Sequence, residues 1–221
     1  IGNGDTINFD NVSVKESTKN DLARVDYTGS TSSLLVEPQR TNLIEYSEDF
    51  TSNNWTSSYP ITNNSIVSPD GTLNATKVLV GTTNGALRTT NITVSASTSY
   101  VFSFFAKRGT ATEMKFRVYD FTSGQAGDII SQTSYYSSTS ATEWTRIKVP
   151  FTTPSGANLV SPYMESDGQG NGDFYVWGAQ LEEGSYATSY IPTSGSTVTR
   201  VQDQYTKTGI SDLINGAEGV L

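Results

Sequence analysis

Three segments of the chain, residues 114–121, 144–151 and 159–165, alternate between apolar residues and residues that are aromatic or charged. Alternation with a period of two predicts β-strands that turn one face to a core and the other to solvent. The side chains predicted on the outward faces include Arg117, Tyr119, Trp144, Arg146, Lys148, Tyr163 and Glu165. If the three strands share a sheet, these side chains form one platform of aromatic rings flanked by charged, hydrogen-bonding groups.

Such a platform has the chemistry that sugar recognition needs. The C–H face of a pyranose packs on an aromatic ring, while planar polar side chains bind the hydroxyl groups. Five of the 14 cationic residues lie on predicted outward faces, namely Lys107, Lys115, Arg117, Arg146 and Lys148. Against a net charge of −8, this enrichment favours an acidic polysaccharide, such as a uronate or a sulfated chain.

Other interpretations of these residues stay open. Alternating Lys and Arg on an exposed sheet face are commonly solvated residues that prevent edge pairing. Tyr135 and Tyr136 are adjacent in a serine-rich loop, SQTSYYSSTS. Two adjacent tyrosines fit either contact with a partner or packing within the domain. We count both among the candidate ligand-binding residues.

Histidine and cysteine are absent from the sequence. Their absence excludes Ser-His-Asp and Cys-His catalysis and the common zinc sites. Glycoside hydrolysis needs only two carboxylates, but we interpret Glu143, Glu165 and Asp173 as rim or turn residues rather than as a catalytic pair. No G-x-x-x-x-G-K-S phosphate loop is present. The sequence therefore predicts a domain without enzymatic activity.

The elements that position the candidate residues are short strands. Charged residues make up 16% of the 221 residues, aromatics make up 11%, and Ser, Thr, Asn and Gly are plentiful. At least eight strands, separated by turn signals such as Asp70-Gly71 and Ser123-Gly124, predict an all-β fold, a β-sandwich of jelly-roll type. The excess of 22 acidic over 14 basic residues argues against nucleic acid as a partner. No apolar run of the length of a membrane span is present, so we expect no membrane insertion.

Two segments frame the strand-rich region: residues 34–55, LLVEPQRTNLIEYSEDFTSNNW, and residues 174–200, FYVWGAQLEEGSYATSYIPTSGSTVTR. Together they resemble the jelly-roll modules of phage tail and receptor-binding proteins. Those modules are similar to carbohydrate-binding modules of families 4, 9 and 22, whose first strand often reads N-L-x-x-N-x-x-F followed by a Trp. The corresponding residues here are Asn42-Leu43-Ile44, Asp49-Phe50 and Trp55.

The resemblance implies a non-catalytic module that binds a polysaccharide or cell-surface glycan. It also implies an extracellular or virion-surface location, within a larger phage tail protein or polysaccharide-active protein. The alternative is a purely architectural sandwich of a fibre or capsid, with no ligand. An exposed groove lined by Tyr119, Trp144 and Tyr163 would favour the glycan binder, whereas burial of these aromatics against another chain would favour the architectural domain.

The resemblance also bears on single residues. The segment TEWTRIKVPFTTP, which contains Trp144, resembles a strand of these modules whose Trp is often structural. Modules of this type often hold a structural Ca²⁺ near the first and last strands. This implies one calcium ion, with Glu48, Asp49 and Glu182 as candidate ligands. Thr51 and Trp177 stand where the resembled modules commonly have acidic residues.

The two ends of the chain resemble parts of other domains. Residues 7–16, INFDNVSVKE, align without gaps with residues 174–183, so we interpret residues 1–16 as the last strand of a preceding, related unit. The rest is predicted to be a jelly roll, a linker and the start of a following domain, at residues 22–193, 194–209 and 210–221. Neighbouring domains of the same polypeptide are therefore expected partners. A homo-oligomer stays open, although no heptad or collagen-like segment supports a trimeric fibre.

Overall fold

A computed structural model of the protein describes residues 24–26, 33–81, 85–166 and 171–204. Residues 39–200 form one compact unit, and the described residues before and after this range belong to a second unit. In the second unit, β1 (Arg24–Asp26) pairs with β2 (Ser33–Leu35) in antiparallel fashion. In the same unit, the backbone N–H of Glu37 donates to the carboxylate of Asp203, and the backbone N–H of Asp203 donates to the carbonyl oxygen of Glu37.

Strands make up almost all of the regular structure of the compact unit. In chain order they are β3 (Arg40–Asn42), β4 (Trp55–Ser57), β5 (Ile61–Ile66), β6 (Ala75–Val80), β7 (Gly85–Thr89), β8 (Ile92–Thr93), β9 (Ser99–Arg108), β10 (Lys115–Asp120), β11 (Gly127–Ser134), β12 (Thr145–Thr152), β13 (Leu159–Ser166), β14 (Gly172–Glu183) and β15 (Val198–Arg200). A single turn of 3-10 helix, Tyr136–Ser138, lies between β11 and β12.

These strands form two main antiparallel sheets. The front sheet has the order β11-β10-β13-β7-β4, with β8 also paired to β13. The back sheet has the order β12-β9-β14-β6-β5. β3 and β15 form a separate two-stranded pair. The all-β class and the β-sandwich of jelly-roll type are therefore confirmed.

The core lies between the two sheets and follows from the alternation along each strand. On β9, Phe102, Phe104 and Ala106 are fully buried in it. On the front sheet, Val118 and Met164 are equally buried in the same cluster. Because successive side chains of a strand point to opposite faces, residues between these core positions lie on the outer faces of the sandwich.

The outer face of the back sheet is covered by the segment that follows β14. Gln180 and Glu182, which alternate with core residues of β14, are both fully buried. The N–H of Ile191 donates to the Gln180 side chain at 2.7 Å, and the N–H and hydroxyl of Thr188 donate to the Glu182 carboxylate at 2.9 and 2.6 Å. The ring of Tyr190 packs on Trp177, with 4.7 Å between centroids. The part of this face around Trp177, Gln180 and Glu182 is consequently covered by the chain itself.

The bounds of the compact unit differ from those of the predicted jelly roll at both ends. Strand β15, Val198–Arg200, lies inside the range predicted to be a linker, yet it pairs with β3 and belongs to the compact unit. The compact unit begins at Gln39, whereas the predicted jelly roll begins at residue 22. The predicted flanking segments, residues 1–16 and 210–221, lie outside the described residues.

Within the described part of the chain, no helix has the length and apolar character that crossing a membrane requires.

Candidate ligand-binding groove

Four residues form a row straight across the front sheet. Thr56 of β4 pairs with Arg88 of β7, Arg88 pairs with Tyr163 of β13, and Tyr163 pairs with Arg117 of β10. The neighbours of Arg88, Tyr163 and Arg117 in the sequence include core residues, so these side chains lie on the face turned away from the core. Register alone therefore brings two arginines to either side of one tyrosine.

The row borders a groove with a volume of about 390 Å³. Its lining comes from five elements of the front sheet and consists of Thr56, Ser58, Gly85, Ala86, Arg88, Arg117, Gln132, Tyr163, Glu165 and Ser166. Sites for small ligands commonly have volumes of roughly 300–1,000 Å³. The groove is polar, with two guanidinium groups, one carboxylate, one amide and several hydroxyls along its length.

The floor of the groove is a tyrosine held between guanidinium groups. Tyr163 is only 8% exposed. The guanidinium carbon of Arg117 lies 4.3 Å from the centroid of its ring, and that of Arg88 lies 5.6 Å from the same centroid. Burial raises the pKa of the Tyr163 hydroxyl, although both nearby guanidinium groups act in the opposite direction. The Tyr163 ring is therefore engaged in cation–π contacts and is not an open surface for stacking a sugar.

Glu165 is the buried carboxylate of the groove. It is 2% exposed, and its Oε1 lies 3.3 Å from Nε of Arg117. Burial raises the pKa of Glu165, while Arg117 and a hydrogen bond from Gln132 partly oppose this effect. Arg117 also contacts Asp128 of β11, with 3.4 Å between Nη1 and Oδ1. Arg117 is thus the shared cation of two carboxylates.

The aromatic part of the site continues beyond the groove on the same face. The rings of Tyr119 and Phe121 are 4.8 Å apart, and Tyr119 is 6.5 Å from Tyr163. The guanidinium of Arg88 lies over Phe121 at 5.3 Å, and that of Arg117 lies over Tyr119 at 5.4 Å. Three rings and two guanidinium groups therefore form one contiguous cluster, in which Tyr119 and Phe121 are half-buried.

The structure brings together only part of the predicted platform. Arg117, Tyr119, Tyr163 and Glu165 share the front sheet, as expected. Trp144, Arg146 and Lys148 lie in or beside β12, which is an edge strand of the back sheet. The condition that the three predicted strands share one sheet is not met, so a single platform containing all seven residues is wrong.

The residues of β12 have structural contacts instead. The indole N–H of Trp144 donates to the carbonyl oxygen of Val67 at 3.0 Å. Arg146 donates to the carbonyl of Thr188 at 2.6 Å and to the hydroxyl of Ser103 at 2.9 Å. Arg146 therefore fastens the covering C-terminal segment to the back sheet, and it does not face the groove.

Tyr135 is a core residue, so its predicted contact with a ligand is wrong. It is 2% exposed, stacks on Phe116 at 5.8 Å and meets Phe104 edge-on at 5.4 Å. Tyr136 is half-buried and packed against the core, with the guanidinium of Arg108 4.9 Å from its ring centroid. The serine-rich sequence suggests that Tyr135 and Tyr136 are exposed, but the loop turns both rings towards the core.

The three candidate calcium ligands do not form a common site. Glu48 accepts hydrogen bonds from Tyr190 and Asn74, and Asp49 accepts from Thr51 and Asn63. Glu182 is fully buried and held by Thr188 and Gln180. No group of three acidic residues in the described ranges is arranged to hold a metal ion. One structural calcium ion stays a prediction, for which these three side chains do not fit as a set.

Arg88, Thr56 and Gln132 belong to the groove but were not predicted from the sequence. Arg88 is the one charged residue of β7, whose sequence GALRT is too short to show a clear alternation of apolar and polar residues. Strand β4 lies directly after the turn at 51–54 and is only three residues long. Alternation cannot be recognised over three residues, so Thr56 carried no signal.

The chain folds as an antiparallel β-sandwich, and a polar groove bordered by aromatic rings crosses one of its sheets. This combination is typical of β-sandwiches that bind ligands. The model of the family described as "Carbohydrate binding domain", which covers carbohydrate-binding modules of families 4 and 9, matches residues 42–173. This match spans more than half of the chain, and the chain therefore belongs to this family of carbohydrate-binding domains. The front-sheet groove lies within the matched residues.

The chain also shares a stretch of similar sequence with two bacterial proteins. Over 80 residues it is 32% identical to the tRNA3(Ser)-specific nuclease WapA of Bacillus spizizenii and to the tRNA nuclease WapA of Bacillus subtilis. The aligned part is 35% of this chain and 3% of either relative, so the chain spans only a small fraction of those proteins.

Among solved structures, the chain is similar to the enzymatically active domain of tailspike protein 4 from bacteriophage CBA120. That similarity has a TM-score of 0.46 and 13% identity, over 64% of this chain and 21% of the tailspike chain. It is also similar to a structure described as "CBM4 structure and function". There the TM-score is 0.43 with 16% identity, over 61% of this chain and 91% of the other.

Proposed function

We propose that this domain is a non-catalytic glycan-binding module that holds a polysaccharide or cell-surface glycan in the groove of the front sheet. The observation that carries the proposal is the row Thr56–Arg88–Tyr163–Arg117, with Glu165 beside it. Guanidinium, carboxylate, amide and hydroxyl groups along one open groove supply both donors and acceptors for sugar hydroxyls. Membership of the carbohydrate-binding family supports this use of the groove.

The mode of binding follows from the state of the aromatic rings. Because Tyr163 is covered by guanidinium groups, the centre of the groove offers hydrogen bonds rather than a stacking surface. Tyr119 and Phe121, which are half-buried at one side of the groove, supply the apolar contact for a pyranose ring. A chain of sugars crossing the front sheet would then combine a polar centre with an aromatic flank.

The groove carboxylates favour binding over catalysis. Glu165 and Asp128 both contact the guanidinium of Arg117. Glycoside hydrolysis requires two carboxylates free to act on opposite sides of the scissile bond. Carboxylates engaged with a shared arginine are better suited to fixing that arginine for recognition. We therefore expect a bound glycan to be released intact.

The setting we propose is the outside of a cell or a virion, where polysaccharides are available, within a larger protein. The aligned part of the chain covers 3% of the length of the WapA relatives, which fits a domain that is one part of a long polypeptide.

The test is a glycan array followed by isothermal titration calorimetry with the best ligand, using wild type, Thr56→Trp and Thr152→Trp. Both threonines are exposed on edge strands, but only Thr56 borders the groove. The indole at position 56 is expected to weaken binding by at least about tenfold, while the indole at position 152 leaves affinity unchanged. No release of reducing ends is expected during incubation.

Equal affinity in both variants would place the ligand elsewhere on the domain. Silence of the folded protein across the whole array would overturn the proposal in favour of an architectural sandwich.

A further inference from the structure

Arg88 is placed at the centre of the groove but, among the described residues, has no contact with a carboxylate. Its Nη1 donates to the carbonyl oxygen of Thr89 at 3.3 Å, and its guanidinium carbon lies over the rings of Phe121 and Tyr163. The other groove arginine differs, because Arg117 contacts both Glu165 and Asp128. The positive charge of Arg88 is therefore the uncompensated one of the pair.

The contacts of Arg88 hold its guanidinium group without neutralising it. Two aromatic rings at 5.3 and 5.6 Å from the guanidinium carbon restrict its position. An arginine whose planar fork is fixed in advance loses less entropy on forming paired hydrogen bonds. The group that matches this fork is an anion with two coplanar oxygens, a carboxylate or one edge of a sulfate.

We infer that the groove selects sugars that carry an anionic substituent, a carboxylate or a sulfate, and that Arg88 binds this substituent. The inference rests on the proposed function of the groove. Three of the five cations that enrich the predicted outward faces, Lys107, Arg146 and Lys148, lie on the back sheet and not in the groove. The cation enrichment of the sequence therefore does not support the inference. The inference rests on one arginine without a carboxylate partner in a groove of a protein whose net charge is −8.

The test uses pairs of glycans that differ only in charge. An array presents uronic-acid oligosaccharides beside their methyl esters, sulfated oligosaccharides beside their desulfated forms, and neutral xylohexaose and cellohexaose. Acidic members are expected to bind better than their neutral partners, and added salt is expected to weaken their binding. The uronate and sulfate arms distinguish the two sources of negative charge.

Three variants then connect the preference to Arg88. Arg88→Gln is expected to lower affinity for the acidic ligand by roughly 10- to 100-fold, the loss of a charge-assisted hydrogen-bonded pair. It should change affinity for a neutral ligand much less. Arg88→Lys keeps the charge without the fork and is expected to retain part of the affinity. Lys148→Gln removes the same charge from an exposed position on the back sheet and is expected to bind like wild type.

Each outcome is decisive. Binding of neutral glycans alone, or equal losses for acidic and neutral ligands in Arg88→Gln, would overturn the anionic preference and leave the proposed function standing. Binding to no glycan by the folded wild-type protein would overturn the proposed function itself. Circular dichroism of each variant separates loss of binding from loss of the fold.

Discussion

The guanidinium carbon of Arg117 lies 4.3 Å from the centroid of the Tyr163 ring, directly across the strand pair β10–β13. The same side chain places its Nε 3.3 Å from the buried Oε1 of Glu165. One arginine therefore covers an aromatic ring and compensates a buried carboxylate. These two contacts of Arg117 make the floor of the groove polar. They also mean that a substitution of Arg117 changes both the groove and the stability of the domain.

Arg117→Ala is expected to destabilise the domain by about 2–4 kcal/mol, because it leaves the carboxylate of Glu165 buried without its cation. Replacing Glu165 with Gln in the same chain is expected to restore much of this loss. Urea unfolding of wild type, both single variants and the double variant gives the coupling free energy. Purely additive changes would show that the two side chains do not interact.

The pKa of Glu165 gives a prediction for the pH dependence of stability. Burial raises this pKa above its ordinary value of 4.5. The folded state therefore binds the Glu165 proton more tightly than the unfolded state does. Stability from this group is fully present below pH 4.5 and is lost as the pH rises through the folded-state pKa.

The matching measurement is the free energy of unfolding of wild type and Glu165→Gln as a function of pH. As the pH falls from 7 towards 4.5, the wild type is expected to gain stability relative to the variant, and the difference levels off at lower pH. A difference that does not change with pH, or one that changes in the opposite direction, would contradict the raised pKa.

Tyr135 yields a test that separates a core role from a ligand role. Its hydroxyl is buried and has no hydrogen-bond partner among the described residues, while its ring packs on Phe116 and Phe104. Tyr135→Phe removes a polar group that is buried without compensation, so it is expected to stabilise the domain by about 1 kcal/mol. Tyr135→Ala is expected to cost about 3–5 kcal/mol through the cavity it leaves. Thermal and urea unfolding measure both, and glycan affinity should be unchanged in Tyr135→Phe.

The outward faces of β10 and β13 could be predicted from the sequence because each strand alternates over at least six residues. Arg117, Tyr119, Tyr163 and Glu165 were found in this way. What alternation cannot supply is which strands are neighbours, since pairing depends on long-range contacts. The assignment of Trp144 and Arg146 to the same surface is wrong for this reason, because β12 pairs, among the described strands, only with β9 of the other sheet.

Two further differences have local causes. Polarity of the sequence around Tyr135 suggested exposure, whereas the preceding strand β11 directs the chain so that the ring enters the core. The resemblance to modules with a calcium ion near the last strand implies a metal-binding role for Glu182, which lies at the end of β14. The chain turns back directly after β14, so that Thr188, six residues further on, supplies hydrogen bonds to Glu182 instead. Strand alternation does not predict such a turn.

Arg146→Ala is expected to destabilise the domain without affecting the groove. The side chain binds the Thr188 carbonyl and the Ser103 hydroxyl, two contacts that fasten the C-terminal segment to the back sheet. Loss of hydrogen bonds to a charged group suggests a cost of about 1.5–3 kcal/mol. Lys148→Ala, at the next outward position of β12 but exposed, should change stability by less than about 0.5 kcal/mol. Lower glycan affinity in a folded Arg146→Ala domain would contradict a purely structural role.

Asn42 is expected to be among the most sensitive positions of the sandwich. It is fully buried. Its amide donates to the carbonyls of Ala179 and Ile191 at 3.1 and 2.9 Å, and its Oδ1 accepts from the N–H groups of Ile44 and Leu181 at 3.1 and 3.2 Å. One side chain therefore joins β14, the C-terminal segment and the segment after β3.

Asn42→Ala leaves four buried backbone groups without these partners, so a loss of about 3–4 kcal/mol is expected. Asn91→Ala, at an exposed position, serves as the matched control and should stay within about 0.5 kcal/mol of wild type. Urea unfolding gives both values, and hydrogen exchange of the Ile191 amide, which is bound to Gln180, reports whether the C-terminal segment is released first. If Asn42→Ala were as stable as Asn91→Ala, the segment would be held by its ring contacts on Trp177 rather than by this polar network.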